Sequence, residues 1–162
     1  KSHIEKYTSK EWLLNETRQK DTIHHTKTQS YFISFFELMD NFENYNPQFV
    51  EGVDSILIEM ITPILNDMCK VYNGVFGRIF LINLPAKAEI TKHFDDHEYF
   101  DIARRFHLPI ISNDQVFFSV NDEEIIMREG ECWEINNRKM HSVKNNGNSD
   151  RVHLMFDIIP NK

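Results

Sequence analysis

Cysteine, positive charge and long apolar runs are all scarce in this sequence, and each shortage closes off a class of function. Cys69 and Cys132 are the only cysteines among 162 residues. They are too few and too far apart for a disulfide framework, so buried free thiols in a reducing, cytoplasmic compartment are expected. Lys and Arg number 18 against 25 Asp and Glu, a net charge of −7, and no dense basic block occurs. Nucleic acid and anionic membrane surfaces are therefore disfavoured as main partners. No apolar run approaches the roughly 20 residues that span a bilayer. The polar start, Lys1 to Thr8, does not have the form of a signal peptide. With no repeat, linker or low-complexity tract, a single domain over residues 1–162 is expected, with 1–75 as a helical and strand buttress and 76–160 as the core.

What is present points to a sheet-rich globule. Hydrophobic residues make up 41% and charged residues 27%, and there are 13 Phe, a composition suited to a folded, aromatic-rich β core. Thr8-Ser9-Lys10-Glu11 has the form of a capping box and precedes Trp12, Leu13 and Leu14, so a short helix should start near Thr8. Residues 20–28 are polar; His24 and His25 are adjacent, point different ways in any regular structure, and read as solvated loop rather than as a metal pair. The aromatic stretch Gln29–Leu38 reads as a buried strand and Asn41–Pro47 as a loop. From Phe49 the period changes. Val53, Ile56, Leu57, Met60, Ile61, Ile64, Met68 and Val71 recur at three- and four-residue steps, predicting a helix packed on a sheet, kinked or restarted at Pro63.

After Gly74 and Gly77 the sequence reads as short strands separated by turns: Arg78–Leu84, Glu89–His93, Arg104–Ile111, Val116–Val120, Ile125–Arg128, Cys132–Ile135, His141–Lys144 and Arg151–Ile159. This spacing predicts a mainly β protein with N-terminal helices, built as a double-stranded β-helix, a cupin-like jelly roll.

Within these strands lies a constellation with a chemical meaning. His93 and Asp95, at i and i+2, can share one face of a strand. His141 begins another strand and can supply a second imidazole. Two histidines and one carboxylate cover one face of an octahedral metal and leave the others open, which suits non-haem Fe(II) and dioxygen. Arg151, ten positions after His141, is a permanent cation whose planar fork matches a carboxylate. Together these four suggest a 2-oxoglutarate-dependent oxygenase. A lone H-x-D is weak by itself, since such tripeptides arise by chance at strand ends.

Several further pieces carry a resemblance. They are Arg78-Ile79-Phe80-Leu81-Ile82-Asn83-Leu84, Ala88-Glu89-Ile90-Thr91-Lys92-His93-Phe94-Asp95, Arg105-Phe106-His107-Leu108-Pro109-Ile110, Glu129-Gly130-Glu131-Cys132-Trp133-Glu134-Ile135-Asn136, His141-Ser142-Val143-Lys144-Asn145 and Arg151-Val152-His153-Leu154-Met155-Phe156-Asp157. In this order, from about Trp12 to Asp157, the sequence resembles the aspartyl/asparaginyl β-hydroxylase family of Fe(II)/2-oxoglutarate oxygenases. The resemblance implies His93, Asp95 and His141 as catalytic iron ligands and Arg151 as partner of the distal carboxylate of 2-oxoglutarate. It implies His107 and Arg105, which share parity, as further contacts to a co-substrate carboxylate. The implied partners are 2-oxoglutarate, dioxygen and an amino-acid or peptide substrate. The implied reaction hydroxylates an Asp or Asn side chain in a peptide, or a free amino acid such as proline, and releases succinate and CO₂.

Lys92 departs from the Pro that many members carry before the first histidine. Asp95 matches the branch that keeps the carboxylate ligand. That branch includes free-proline hydroxylases with extra C-terminal helices, whereas here little follows Asp157. The expectation is an exposed peptide side chain as substrate, or a homodimer in which a second subunit supplies the lid. Two rivals use the same fold: a metallo-cupin of another reaction class, which would not need Arg151, and a non-enzymatic small-molecule binding cupin. Among the neighbours, Asp96 and His97 read as loop residues and Asp157 as a support near a strand end or a ligand. His153 reads as pocket or core, Gly130 as a turn glycine with positive φ, and Trp133 as core.

Overall fold

The computed structural model describes residues 1–12, 20, 23–36 and 47–161. Among these the strands are β1 (Gln29–Ser34), β2 (Gly74–Leu84), β3 (Glu89–His93), β4 (Arg104–Ile111), β5 (Val116–Val120), β6 (Glu123–Ile125), β7 (Trp133–Ile135), β8 (His141–Asn145) and β9 (Arg151–Pro160). The helices are α1 (Ser9–Trp12), α2 (Ser55–Val71) and α3 (Tyr99–Ile102), with 3₁₀ turns at Ile4–Lys6 and Ile23–His25. A five-stranded sheet runs β1-β2-β9-β4-β7 and a four-stranded sheet runs β3-β8-β5-β6. All pairings are antiparallel. Two such sheets face to face make the jelly roll that the sequence predicts.

Side-chain alternation explains how one strand serves two layers. Every residue of β9 from Arg151 to Ile158 is buried, as expected only of a strand covered on both faces. Val152, Leu154, Phe156 and Ile158 join Ile79, Leu81 and Phe106 in a cluster with Leu57, Ile61 and Leu65 of α2. The alternate residues, Arg151, His153, Met155 and Asp157, turn toward the second sheet. There Leu84, Ile90, Val116, Phe118, Ile135 and Val143 form an inter-sheet core. The polar members of β9 thus sit inside the molecule, between the sheets.

Helix α2 begins at Asp54, whose Oδ1 accepts from the backbone N–H groups of Ile56 and Leu57, while its Oδ2 takes bonds from His3 and Tyr7. It runs unbroken through Pro63. Pro63 is exposed, so the carbonyl deprived of its bond faces water and the helix neither breaks nor restarts. The apolar stripe is wider than its contact: Ile56, Met60 and Ile64 are 52%, 46% and 36% exposed, so only part of the stripe serves as core. At the N-terminus the capping box forms, with the N–H and hydroxyl of Thr8 both donating to Glu11. The continuation of α1 through Leu13 and Leu14, the extension of β1 to Leu38 and the loop over 41–46 lie outside the described residues.

Three expectations shift. β2 starts at Gly74 rather than Arg78, because Gly74, Val75 and Phe76 pair with Pro160, Ile159 and Ile158. β6 is Glu123–Ile125 rather than Ile125–Arg128, because Val120 pairs with Glu123 across a tight turn with Asn121 at φ 55°; that turn forces pairing to begin at once. The thiols are not buried: Cys69 is intermediate and Cys132 exposed, the latter just before β7, an outer strand of its sheet. No helix among the described residues is long and apolar enough to cross a membrane.

Candidate metal centre

Backbone irregularities aim the central side chains. β3 pairs with β8 through Ile90↔Val143 and then slips, so that His93 comes opposite His141. Ile90 and His93 are both buried while Thr91 and Lys92 are exposed. Regular alternation would turn Ile90 and His93 to opposite faces, and the irregularity turns both inward. Asp95 lies beyond the strand. Its N–H donates to the Asn137 carbonyl at 2.9 Å and its own carbonyl accepts from Arg138 Nη1 at 2.8 Å. The expected sharing of a strand face at i and i+2 is therefore not what aligns His93 with Asp95; a loop tied to the β7–β8 turn does so.

One potential ligand atom from each of His93, Asp95 and His141 falls within 4.8 Å of the others. His93 Nδ1 is 2.7 Å from the Thr91 carbonyl and His141 Nδ1 is 2.9 Å from the Lys139 carbonyl. A carbonyl only accepts, so each Nδ1 carries the proton and each Nε2 presents a lone pair. Burial holds both imidazoles below the ordinary histidine value, which favours the neutral, ligating form. Asp95 Oδ2 takes bonds from Arg105 Nη1 and, at 2.8 Å, from Asn137 Nδ2. Its Oδ1 is the oxygen that no donor among the described residues occupies. Burial pushes the Asp95 carboxyl up, but Arg105 and Asn137 more than offset this and hold it below the usual range. Two neutral imidazoles and one oriented carboxylate fit a divalent metal.

Arg105 is anchored from behind. It stands opposite Asp157 in the β4–β9 pairing and grips it with two bonds, Nε to Oδ1 at 2.8 Å and Nη2 to Oδ2 at 2.9 Å. Tyr99 donates to the same carboxylate at 3.1 Å. Gly77 makes room for that phenol, since a Cβ there would lie 2.3 Å from the Tyr99 oxygen.

An inner pocket joins the residues of this cluster to His107 and Arg151. Arg151 is 1% exposed, and its Nη2 donates to His153 Nδ1 across 2.6 Å. Burial, with Arg151 and His107 beside it, keeps His153 well below the ordinary value, so it accepts as a neutral base. An outer chamber shares His93, Asp95 and Arg105 with the inner one and adds Arg78, Phe80 and Phe94. Asp96 and His97 keep to loop roles: Asp96 pairs with Arg138, and His97 Nδ1 accepts from the Tyr99 N–H.

Sequence reading passed over several residues of the site. His24 stacks on His93 with centroids 4.7 Å apart, and His25, buried, meets the same ring edge-on at 5.2 Å. They cover a candidate ligand rather than standing in a solvated loop, and nothing local in a polar stretch signals a contact that far along the chain. Asn137 was hidden in a turn for the same reason. Arg78 carried a readable signal, a charge at the head of an apolar strand with the parity of Phe80 and Ile82.

The buried histidines make stability fall on acidification. His93, His141 and His153 all have folded values below the unfolded value of roughly 6.5. Below that pH the unfolded chain binds more protons than the folded one. Denaturant unfolding of the metal-free protein should therefore show stability intact above about pH 6.5 and falling beneath it, by up to about 1.4 kcal/mol per pH unit for each histidine, until its folded value is reached. A flat profile between pH 7.5 and 5.5 would mean these rings are not held neutral.

Residues 50–160 match a family model described as aspartyl/asparaginyl beta-hydroxylase. No curated protein sequence matches the chain. Similar solved structures include the cupin domain of Schizosaccharomyces pombe Cnp3, with 13% identity over 82% of this chain and 65% of that one and a TM-score of 0.46. Others are a predicted oxalate decarboxylase of Thermotoga maritima, with 17% identity over 56% and 71% and a TM-score of 0.42, and a Bordetella pertussis cupin domain, with 12% identity over 50% and 79% and a TM-score of 0.40. The chain spans just under two thirds of the yeast domain, and likenesses this distant carry no functional argument.

Proposed function

Because the chain belongs to the aspartyl/asparaginyl beta-hydroxylase family, we propose that it is an Fe(II)- and 2-oxoglutarate-dependent hydroxylase of an amino-acid side chain, either Asp or Asn in a peptide or a free amino acid. The observation that carries this reading is the clustering of His93, Asp95 and His141 within 4.8 Å at one end of a cavity that also buries Arg151. His93 Nε2, Asp95 Oδ1 and His141 Nε2 would hold the iron, leaving its other positions open. Bound there with 2-oxoglutarate and dioxygen, the metal would supply oxidation of an unactivated C–H bond, with succinate and CO₂ as co-products. Arg151 would neutralise the distal carboxylate of the co-substrate, its fork oriented by His153, with His107 as a further donor nearby. Ile82, Ile90, Phe118, Val143 and Met155 line the same cavity and would keep water from the reacting groups. Arg105 and Asn137 would keep Asp95 turned so that one oxygen faces the metal. We take residues 1–162 as one oxygenase unit, and the free thiols support a reducing, cytoplasmic setting.

The test is succinate formation from 2-oxoglutarate with Fe(II) and oxygen, screened over free amino acids and Asp and Asn peptides. Iron-dependent succinate that disappears in His93→Ala is expected. Iron-loaded protein that releases none, with or without a candidate substrate, would move the function to another reaction class.

A further inference from the structure

The outer chamber contains a cation that no carboxylate among the described residues pairs with. Arg78 points inward from β2 with the parity of Phe80, and its Cζ lies 4.8 Å from the centroid of the Phe35 ring and 5.5 Å from that of Phe80. Among the described residues its guanidinium makes no ion pair, and its buried Nε has no hydrogen-bond partner. The other arginine that lines this chamber, Arg105, is answered by Asp157 and Asp95. Burial and the like charge of Arg105 work against the Arg78 cation and outweigh the more distant support of Asp157 and Asp95. A half-buried guanidinium that no carboxylate pairs with is costly to keep, and a ligand that brings the anion reduces the cost.

We propose that Arg78 binds a carboxylate of the substrate, so that the outer chamber selects a carboxylate-bearing amino acid or an acidic side chain over its carboxamide. This rests on the hydroxylase reading for the reaction performed there, though not for the binding itself. The chamber meets the metal cluster along His93 and Asp95, so a molecule anchored at Arg78 has its neighbouring carbons beside the metal. Charge balance points the same way. A divalent metal with Arg78, Arg105 and Arg151 outweighs Asp95 and Asp157 by three positive charges; 2-oxoglutarate answers two of them, and one further anion completes the balance. Asp96 also lines the chamber, but it is exposed and already faces Arg138. A guanidinium beside phenyl rings can still offer two N–H groups for parallel bonds to a carboxylate, which a neutral amide cannot match.

The test compares matched probes on the protein loaded anaerobically with Fe(II) and 2-oxoglutarate. One pair is L-proline and L-prolinamide; the other is N-acetyl-aspartic acid α-amide and N-acetyl-asparagine α-amide. Calorimetry should find the carboxylate member of at least one pair bound about tenfold or more tightly than its amide, the weight of a charged hydrogen bond. Arg78→Met, which keeps a flexible apolar side chain against the rings, should erase that preference, and Arg78→Lys should retain part of it. Metal and 2-oxoglutarate affinities within about twofold of the parent would show that the variant folds, since 1.4 kcal/mol would be tenfold. If Arg78→Met does not fold, an undiminished preference in Arg78→Lys overturns the proposal. Equal binding within both pairs by the parent, or a preference that survives Arg78→Met, also overturns it. Failure of the parent to bind 2-oxoglutarate would instead count against the hydroxylase reading, and the same pairs on metal-loaded protein would then decide the Arg78 site alone.

Discussion

Arg151→Ala should weaken 2-oxoglutarate binding to the metal-loaded protein by about 30-fold to several thousand-fold. The side chain is 1% exposed and lines the inner cavity with the metal cluster. Without it, a desolvated co-substrate carboxylate is left unpaired, at roughly 2–5 kcal/mol by comparison with other buried charge pairs, and 1.4 kcal/mol is a decade. Metal affinity should hardly change, because Arg151 is not in the ligand cluster. Arg151→Lys should recover only part, since one ammonium cannot reproduce the fork that His153 orients. An anaerobic titration of 2-oxoglutarate measures this. A dissociation constant within about twofold of the parent, some 0.4 kcal/mol, would locate the carboxylate elsewhere.

The second large effect is expected at Arg105, and it falls on the fold. Asp157 is 0% exposed and depends on Arg105 for two hydrogen bonds. Removing one partner of a buried pair leaves an uncompensated charge, at about 3–5 kcal/mol. Arg105→Ala should lose that much in denaturant unfolding, and Arg105→Met combined with Asp157→Leu should recover part of it, since Asp157 is no longer left as a lone charge while Asp95 still loses its cation. Asn137→Ala isolates the other half of the arrangement. It spares the Arg105–Asp157 pair but removes one of the two donors on Asp95 Oδ2, so metal affinity should drop about 10- to 100-fold while the fold holds. Parent-like stability in Arg105→Ala would show that Asp157 is not held as a buried anion.

Much of this was legible in the sequence because it depends on period alone. Alternation along Arg151–Ile158 gives a strand with Val152, Leu154 and Phe156 on one face and Arg151, His153 and Met155 on the other, and this division defines both the outer core and the cavity. The three- and four-residue steps after Phe49 gave α2. What periodicity cannot convey is contact between distant segments. The slip before His93 and the loop that carries Asp95 depend on pairing with β8 and on Asn137, which no local pattern encodes. The R-x-H sequence at Arg105 correctly points both side chains inward, yet says nothing of Asp157, 52 positions away, which already engages the arginine. His24 and His25 look like loop because their neighbours are polar, and only the fold lays them against His93. The exposed half of the α2 stripe shows the converse limit: apolar residues at helical spacing mark a face without saying how much of it the sheet will cover.

On the proposed function, His93, Asp95 and His141 together hold one metal ion. Equilibrium dialysis of anaerobic Fe(II), comparing the parent chain with His141→Ala, tests it most directly. One tightly held iron per chain is expected in the parent and no specific binding in the variant, since two remaining donors are too few. Stoichiometric iron binding by His141→Ala, undiminished from the parent, would contradict it.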